Sequence, residues 1–107
     1  MSFKIIWSNF AESQLDFIYK YKAANEGELF SNKLIAEIIN APNKLLNAPL
    51  IGQKEELLKQ RAIDYRYLIY KNYKLIYSVD VENSLVKIAD VFDTRQNPKK
   101  MNRGLAN

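Results

Sequence analysis

The hydrophobic period changes halfway along this chain, and that change limits its fold more than any other feature. Before about residue 46, apolar residues recur at helical spacing. After Arg61 they gather in short runs rich in β-branched and aromatic residues, divided by short polar linkers. Phe3-Lys4-Ile5-Ile6-Trp7 reads as a short opening strand. A helix then starts at Ser8-Asn9, with Asn9 as its cap and Glu12 three residues on, as in a capping box. Ala11, Leu15 and Ile18 form its inward stripe, widened by Phe10, Phe17 and Tyr21, and the pattern fades at Ala24-Asn25. Gly27 breaks the chain. A second helix runs from about Glu28 with Phe30, Leu34, Ile38 and Ala41 inward. Pro42 removes a backbone donor and crowds the carbonyl of Ile38, so a kink or restart is expected there, with a short helical piece over Asn43–Leu46. Pro49 and Gly52 mark the exit loop.

Arg61–Tyr70, Tyr73–Asp80 and Leu85–Phe92 read as three strands. Their linkers are short, so an antiparallel meander is expected, with Val81-Glu82-Asn83-Ser84 as its second turn. Asn97-Pro98 has the form of a cap followed by proline at the first helical position, opening a short basic terminal helix. The order strand, helix, helix, strand, strand, strand defines an α+β domain, a helical hairpin packed on a small, mainly antiparallel sheet. At 107 residues the chain fits a single domain, 1–107.

The register of the hairpin at Tyr70-Lys71-Asn72-Tyr73 decides which side chains meet. A two-residue loop pairs Tyr70 with Tyr73 and mixes polar and apolar residues on both faces. A three-residue loop pairs Ile69 with Tyr73. It gathers Tyr65, Tyr67, Ile69, Tyr73, Leu75, Tyr77 and Val79 on one apolar face, with Arg66, Leu68, Lys74, Ile76 and Ser78 on the other. Asn72 suits the left-handed position such a loop needs. Clean segregation favours the three-residue loop, which puts Arg66 and Lys74 on one polar face. That face reads either as an anion site or as an ordinary solvated surface. Five tyrosines between Tyr65 and Tyr77 invite a base-stacking role. The favoured register instead buries most of them in the core and leaves Tyr70 free in the turn.

Composition narrows the chemistry. With neither cysteine nor histidine, the chain has no disulfide, thiolate, imidazole base or Cys/His zinc site. Residues 1–56 carry six lysines against seven carboxylates, net −1; residues 57–107 carry ten cations against five carboxylates, net +5. All four arginines, Arg61, Arg66, Arg95 and Arg103, lie in that second part. An anionic partner for one face follows most simply, with a solvated basic surface as the plain alternative. Met1–Ser8 lacks a basic start, a long apolar stretch and a small-residue cleavage site, so neither a secretory leader nor a membrane span is expected, and the expected location is the cytoplasm.

Several segments together resemble the RelE/ParE superfamily of toxins from type II toxin–antitoxin modules. They are Trp7-Ser8 with its following acidic helix, Pro49-Leu50-Ile51-Gly52, Tyr65-Arg66-Tyr67-Leu68, Tyr73-Lys74-Leu75-Ile76-Tyr77 and Val91-Phe92-Asp93-Thr94-Arg95-Gln96-Asn97-Pro98. The resemblance covers nearly the whole chain, in order, and implies the same β-α-α-β-β-β fold. It implies a growth inhibitor, of the plasmid-stabilising kind, neutralised by a cognate antitoxin that wraps an extended or helical segment around it and covers its basic surface. Homo- or hetero-oligomers with the antitoxin are in keeping with this, and no cofactor or metal is implied.

Two target classes follow from the resemblance. ParE-like members inhibit DNA gyrase without a nuclease site. RelE-like members enter the ribosomal A site and cut mRNA by attack of a 2′-hydroxyl on the adjacent phosphate. On the second reading Arg66, Lys74 and Arg95 are the catalytic candidates, with Asp93 as a base or as the group that holds Arg95. On either reading Arg61, Arg66, Lys74, Arg95, Lys99 and Lys100 are the binding candidates. The sequence departs from the nuclease pattern: no Tyr or His follows Phe92, Asp93 stands where many relatives have His, and Leu68 where strong nucleases have a second lysine. The expectation is therefore a ParE-like inhibitor. The alternatives are a RelE-like endoribonuclease or a degenerate toxin retained as a DNA-binding corepressor.

Overall fold

The structure is a computed structural model that describes residues 2–95. The expected terminal helix at Asn97-Pro98, together with Lys99 and Lys100, lies outside the described residues.

Strand β1 (Lys4–Trp7) leads into helix α1 (Asn9–Glu26), and helix α2 (Glu28–Asn40) folds back on it. Ser8, not Asn9, caps α1. Its hydroxyl accepts from the Ala11 amide at 3.0 Å, and Asn9 is already the first helical residue. Gly27 lies at φ 94° between the helices, a conformation that a Cβ disfavours. The two helices are tied by buried Ser31, whose hydroxyl donates to the Tyr19 carbonyl at 2.8 Å. Pro42 acts as a restart: α2 ends at Asn40 and a 3₁₀ turn, Ala41–Leu46, takes over with the proline in its first turn. Of the inward positions expected on α2, Leu34 and Ile38 are buried, while Phe30 is 42% exposed near the hairpin tip.

Five strands form one sheet in the order β1-β5-β4-β3-β2, where β2 is Gln53–Lys54, β3 Arg66–Tyr70, β4 Tyr73–Asp80 and β5 Leu85–Asp93. The meander is antiparallel as expected, and β1 adds to β5 in parallel. The strand expected over Arg61–Tyr70 begins only at Arg66. The segment before it makes a 3₁₀ turn, Glu56–Leu58, and a loop that lies over the sheet.

The hairpin register differs from expectation. Tyr70 pairs with Tyr73 across a two-residue loop, and it is Lys71, at φ 52°, that takes the left-handed conformation. The physical reason lies in the second face. Segregation is a guide to register only where one face meets water, and here both faces are covered. The helices bury Tyr73, Leu75, Tyr77, Val86, Ile88 and Val91 on one side. On the other, Leu58 and Tyr65, with half-buried Ile63, close over Ile76 and Phe92. A one-residue slip therefore moves Arg66 to the helix side, opposite Tyr77, and leaves Lys74 on the other. Asn72 ties the hairpin to the end of β5 instead. Its carbonyl accepts from the amide and hydroxyl of Thr94, at 2.8 and 2.9 Å.

Candidate functional site

The structure sets the three expected catalytic cations in three separate places. Arg66 points to the loop that leaves the helical layer. One guanidinium nitrogen donates to the carbonyls of Leu50 at 3.1 Å and Gly52 at 2.9 Å. Beside it the Tyr77 hydroxyl donates to the Pro49 carbonyl and accepts from the Gly52 amide, both at 2.9 Å. Burial of the Tyr77 phenol raises its pKa, against the opposing pull of the Gly52 bond and the Arg66 charge. Gly52 is required at this approach, because a Cβ there would meet the Tyr77 hydroxyl and ring and the Tyr67 carbonyl. Pro49, Gly52, Arg66 and Tyr77 thus form one lock between loop and sheet.

Lys74 lies on the opposite face. Its ammonium is 2.7 Å from Glu55 Oε1 and sits over the Tyr67 ring, 4.2 Å from the centroid. The Glu55 side chain is only 3% exposed and also accepts from the Leu57 amide. A lysine held between a buried carboxylate and a ring face has its charge matched internally. Sequence inspection gives no sign of this pairing, because Glu55 reaches Lys74 only through the loop that crosses the sheet.

Arg95 follows β5. It grips Asp93 through Nε at 3.1 Å, a terminal nitrogen at 2.9 Å and its own amide at 2.9 Å. These bonds hold the Asp93 carboxyl below the usual carboxylate range, and Asn72 adds to the effect. Of the two roles expected for Asp93, holding Arg95 is the contact the geometry displays. Arg61 stands on the covering loop, beside Lys54, Lys59 and Asp64. Tyr70, expected to be free, donates to Glu37 of α2 at 2.7 Å, and Lys71 approaches the same carboxylate at 3.4 Å.

A groove of about 480 Å³ lies between α1 and the end of the sheet. Gln14, Phe17, Tyr21 and Asn25 line its helix side; Tyr73, Val91, Asp93 and Arg95 line its sheet side. Phe17 and Tyr21, expected to widen the inward stripe of α1, are 64% and 57% exposed along this groove. The sequence signal was present: both lie off the line of Ala11, Leu15 and Ile18. The arrangement is an amphipathic cleft with a charged rim. Arg66 and Lys74 contribute to neither wall.

Among the described residues, a two-helix hairpin packs on a five-stranded mixed sheet, an α+β fold shared with proteins of solved toxin–antitoxin complexes. The chromosomal ParDE system of P. aeruginosa matches over 85% of this chain and 95% of its own, with a TM-score of 0.70 and 16% identity. The RelBE2 complex of Mycobacterium tuberculosis matches over 87% and 99%, with a TM-score of 0.62 and 18% identity. No curated protein matches the sequence. The family model for the ParE toxin of the type II toxin–antitoxin system parDE matches residues 5–98. The chain belongs to that family and is a type II toxin.

Among the described residues no helix is long and apolar enough to cross a membrane.

Proposed function

We propose that this toxin is a ParE-like inhibitor that acts in the cytoplasm by binding DNA gyrase and not by cutting RNA. The observation that carries this reading is the separation of its cations. Phosphoryl chemistry by arginine and lysine needs several donors converging on one phosphate. Here Arg66 and Lys74 stand on opposite faces of the sheet, and Arg95 is chelated by Asp93 at the end of β5. Each is held by carbonyls or carboxylates of this chain. In this reading Arg66 and Lys74 serve the scaffold. Arg61 and Arg95, with Lys99 and Lys100 of the tail, are contact residues for anionic groups of the antitoxin or the target.

The test is supercoiling of relaxed plasmid by purified gyrase, with the toxin added in increasing amounts. Loss of supercoiling that is restored by the antitoxin is the expected result. Undiminished supercoiling, with a preparation that arrests growth, would overturn the reading.

A further inference from the structure

At the tip of the β3–β4 hairpin the backbone and the sequence disagree. Of the two loop residues it is Lys71, not Asn72, that has positive φ, at 52°. A two-residue loop with positive φ at its first position ordinarily carries glycine there, because a Cβ crowds the following carbonyl. Asparagine tolerates such a conformation better than lysine, and here it sits one residue too late. Strain of this kind lowers a folding equilibrium roughly tenfold. What the Lys71 side chain returns inside the chain is small. It is 53% exposed, with its ammonium 3.4 Å from Glu37 Oε1 and 5.6 Å from the Tyr70 ring centroid. Exposed ion pairs of this length contribute little. Glu37 is served first by Tyr70, whose hydroxyl donates at 2.7 Å and is the main reason the Glu37 carboxyl titrates below the usual carboxylate range. Glu37 therefore keeps a partner when Lys71 leaves it.

We infer that Lys71 is a contact residue for an acidic patch on the protein this toxin inhibits, held at the hairpin tip against its backbone preference. The inference rests on the reading of the toxin as a binder. Residues kept in strained backbone cluster where function needs their side chains. A carboxylate is the group this position already accepts. Lys71 meets Glu37 at a length open to exchange, and a partner carboxylate takes its place without stranding Glu37. The tip is also fixed in place. The Asn72 side-chain amide donates to Asp93 at 3.2 Å, and the Asn72 carbonyl accepts from the Thr94 amide at 2.8 Å. This ties the hairpin to the end of β5, where the Arg95 side chain is 62% exposed. Two exposed cations, each in contact with one carboxylate of its own chain, thus stand at one end of the sheet. Such an arrangement complements a surface that carries carboxylates.

The test compares the parent toxin with Lys71→Gly and Lys71→Arg in thermal unfolding, in the dose that halves gyrase supercoiling, and in affinity for the co-expressed antitoxin. Lys71→Gly is expected to raise the Tm by about 2–4 °C, because it relieves the strain. It is also expected to need about fivefold more protein for half-inhibition. A more stable protein that inhibits less cannot owe its loss to unfolding. Lys71→Arg keeps the charge and is expected to inhibit as the parent does, and both variants are expected to bind antitoxin with parental affinity. A lowered Tm for Lys71→Gly would overturn the inference and return Lys71 to the scaffold. Half-inhibition at the parental dose would also overturn it, and lost antitoxin affinity would assign the tip to the antitoxin instead. Growth arrest at matched expression repeats the comparison without reference to gyrase. A parent that arrests growth yet leaves supercoiling undiminished overturns the gyrase reading alone, and the inference then stands or falls on whether Lys71→Gly weakens arrest. New mRNA ends made by the parent on programmed ribosomes would assign the cation to RNA phosphate and overturn it.

Discussion

Lys74 has a catalytic look, but its charge is matched inside the fold by Glu55 and the Tyr67 ring. Its partner Glu55 is almost fully buried, so removing the ammonium strands a carboxylate in an apolar layer. Lys74→Ala is expected to cost about 3 kcal/mol in urea or guanidinium unfolding. Replacing both partners, Lys74→Met with Glu55→Leu, is expected to recover most of that loss, because no buried charge is left behind. Tyr77 gives a second case. Tyr77→Phe leaves the buried Gly52 amide without its acceptor, at an expected cost of about 1–3 kcal/mol in the same measurement.

Asp93 supplies the pH dependence at this scale. Its carboxyl is held below its ordinary value by Arg95, so its contribution to stability is present above the unfolded pKa of about 4. That contribution is lost as pH falls through the lower folded value. Asp93→Asn is expected to lower stability at neutral pH and to flatten the stability curve below about pH 4. Parallel denaturation series at neutral and acid pH check this.

The elements show where sequence reading holds and where it stops. Both helices, the restart at Pro42 and the three-strand meander follow from periodicity and from proline chemistry. What the sequence hid were main-chain matters: the parallel pairing of β1, the short edge strand Gln53–Lys54 and the bulge at Ala89. Strand partners leave no periodic mark. The hairpin register is misleading in sequence because the loop carrying Leu58, Ile63 and Tyr65 covers a face whose pattern suggests solvent. That single slip separates Arg66 from Lys74 and dissolves the expected basic face. Ser8 ties two elements at once, capping α1 and holding the bulge carbonyl. Ser8→Ala is therefore expected to cost about 1–2 kcal/mol, more than an ordinary surface cap, in thermal or denaturant unfolding.

Across the whole molecule, the described core is close to neutral and the cationic excess lies in residues 96–107, where Lys99, Lys100 and Arg103 have no acidic neighbours. Attraction for an acidic partner is thus concentrated in the last residues of the sequence. On the proposed reading the toxin is a binder whose charged residues are scaffold or contacts. If so, the doubly substituted Lys74→Met, Glu55→Leu protein should arrest growth as the parent does. A nuclease that used Lys74 to move a proton would lose about a hundredfold of its rate. The most direct measurement is mapping of mRNA ends after the toxin, from a preparation shown to arrest growth, is added to programmed ribosomes. A gyrase-directed binder leaves no new ends. New ends within A-site codons would contradict that reading and make Arg66, Lys74 and Arg95 catalytic candidates again.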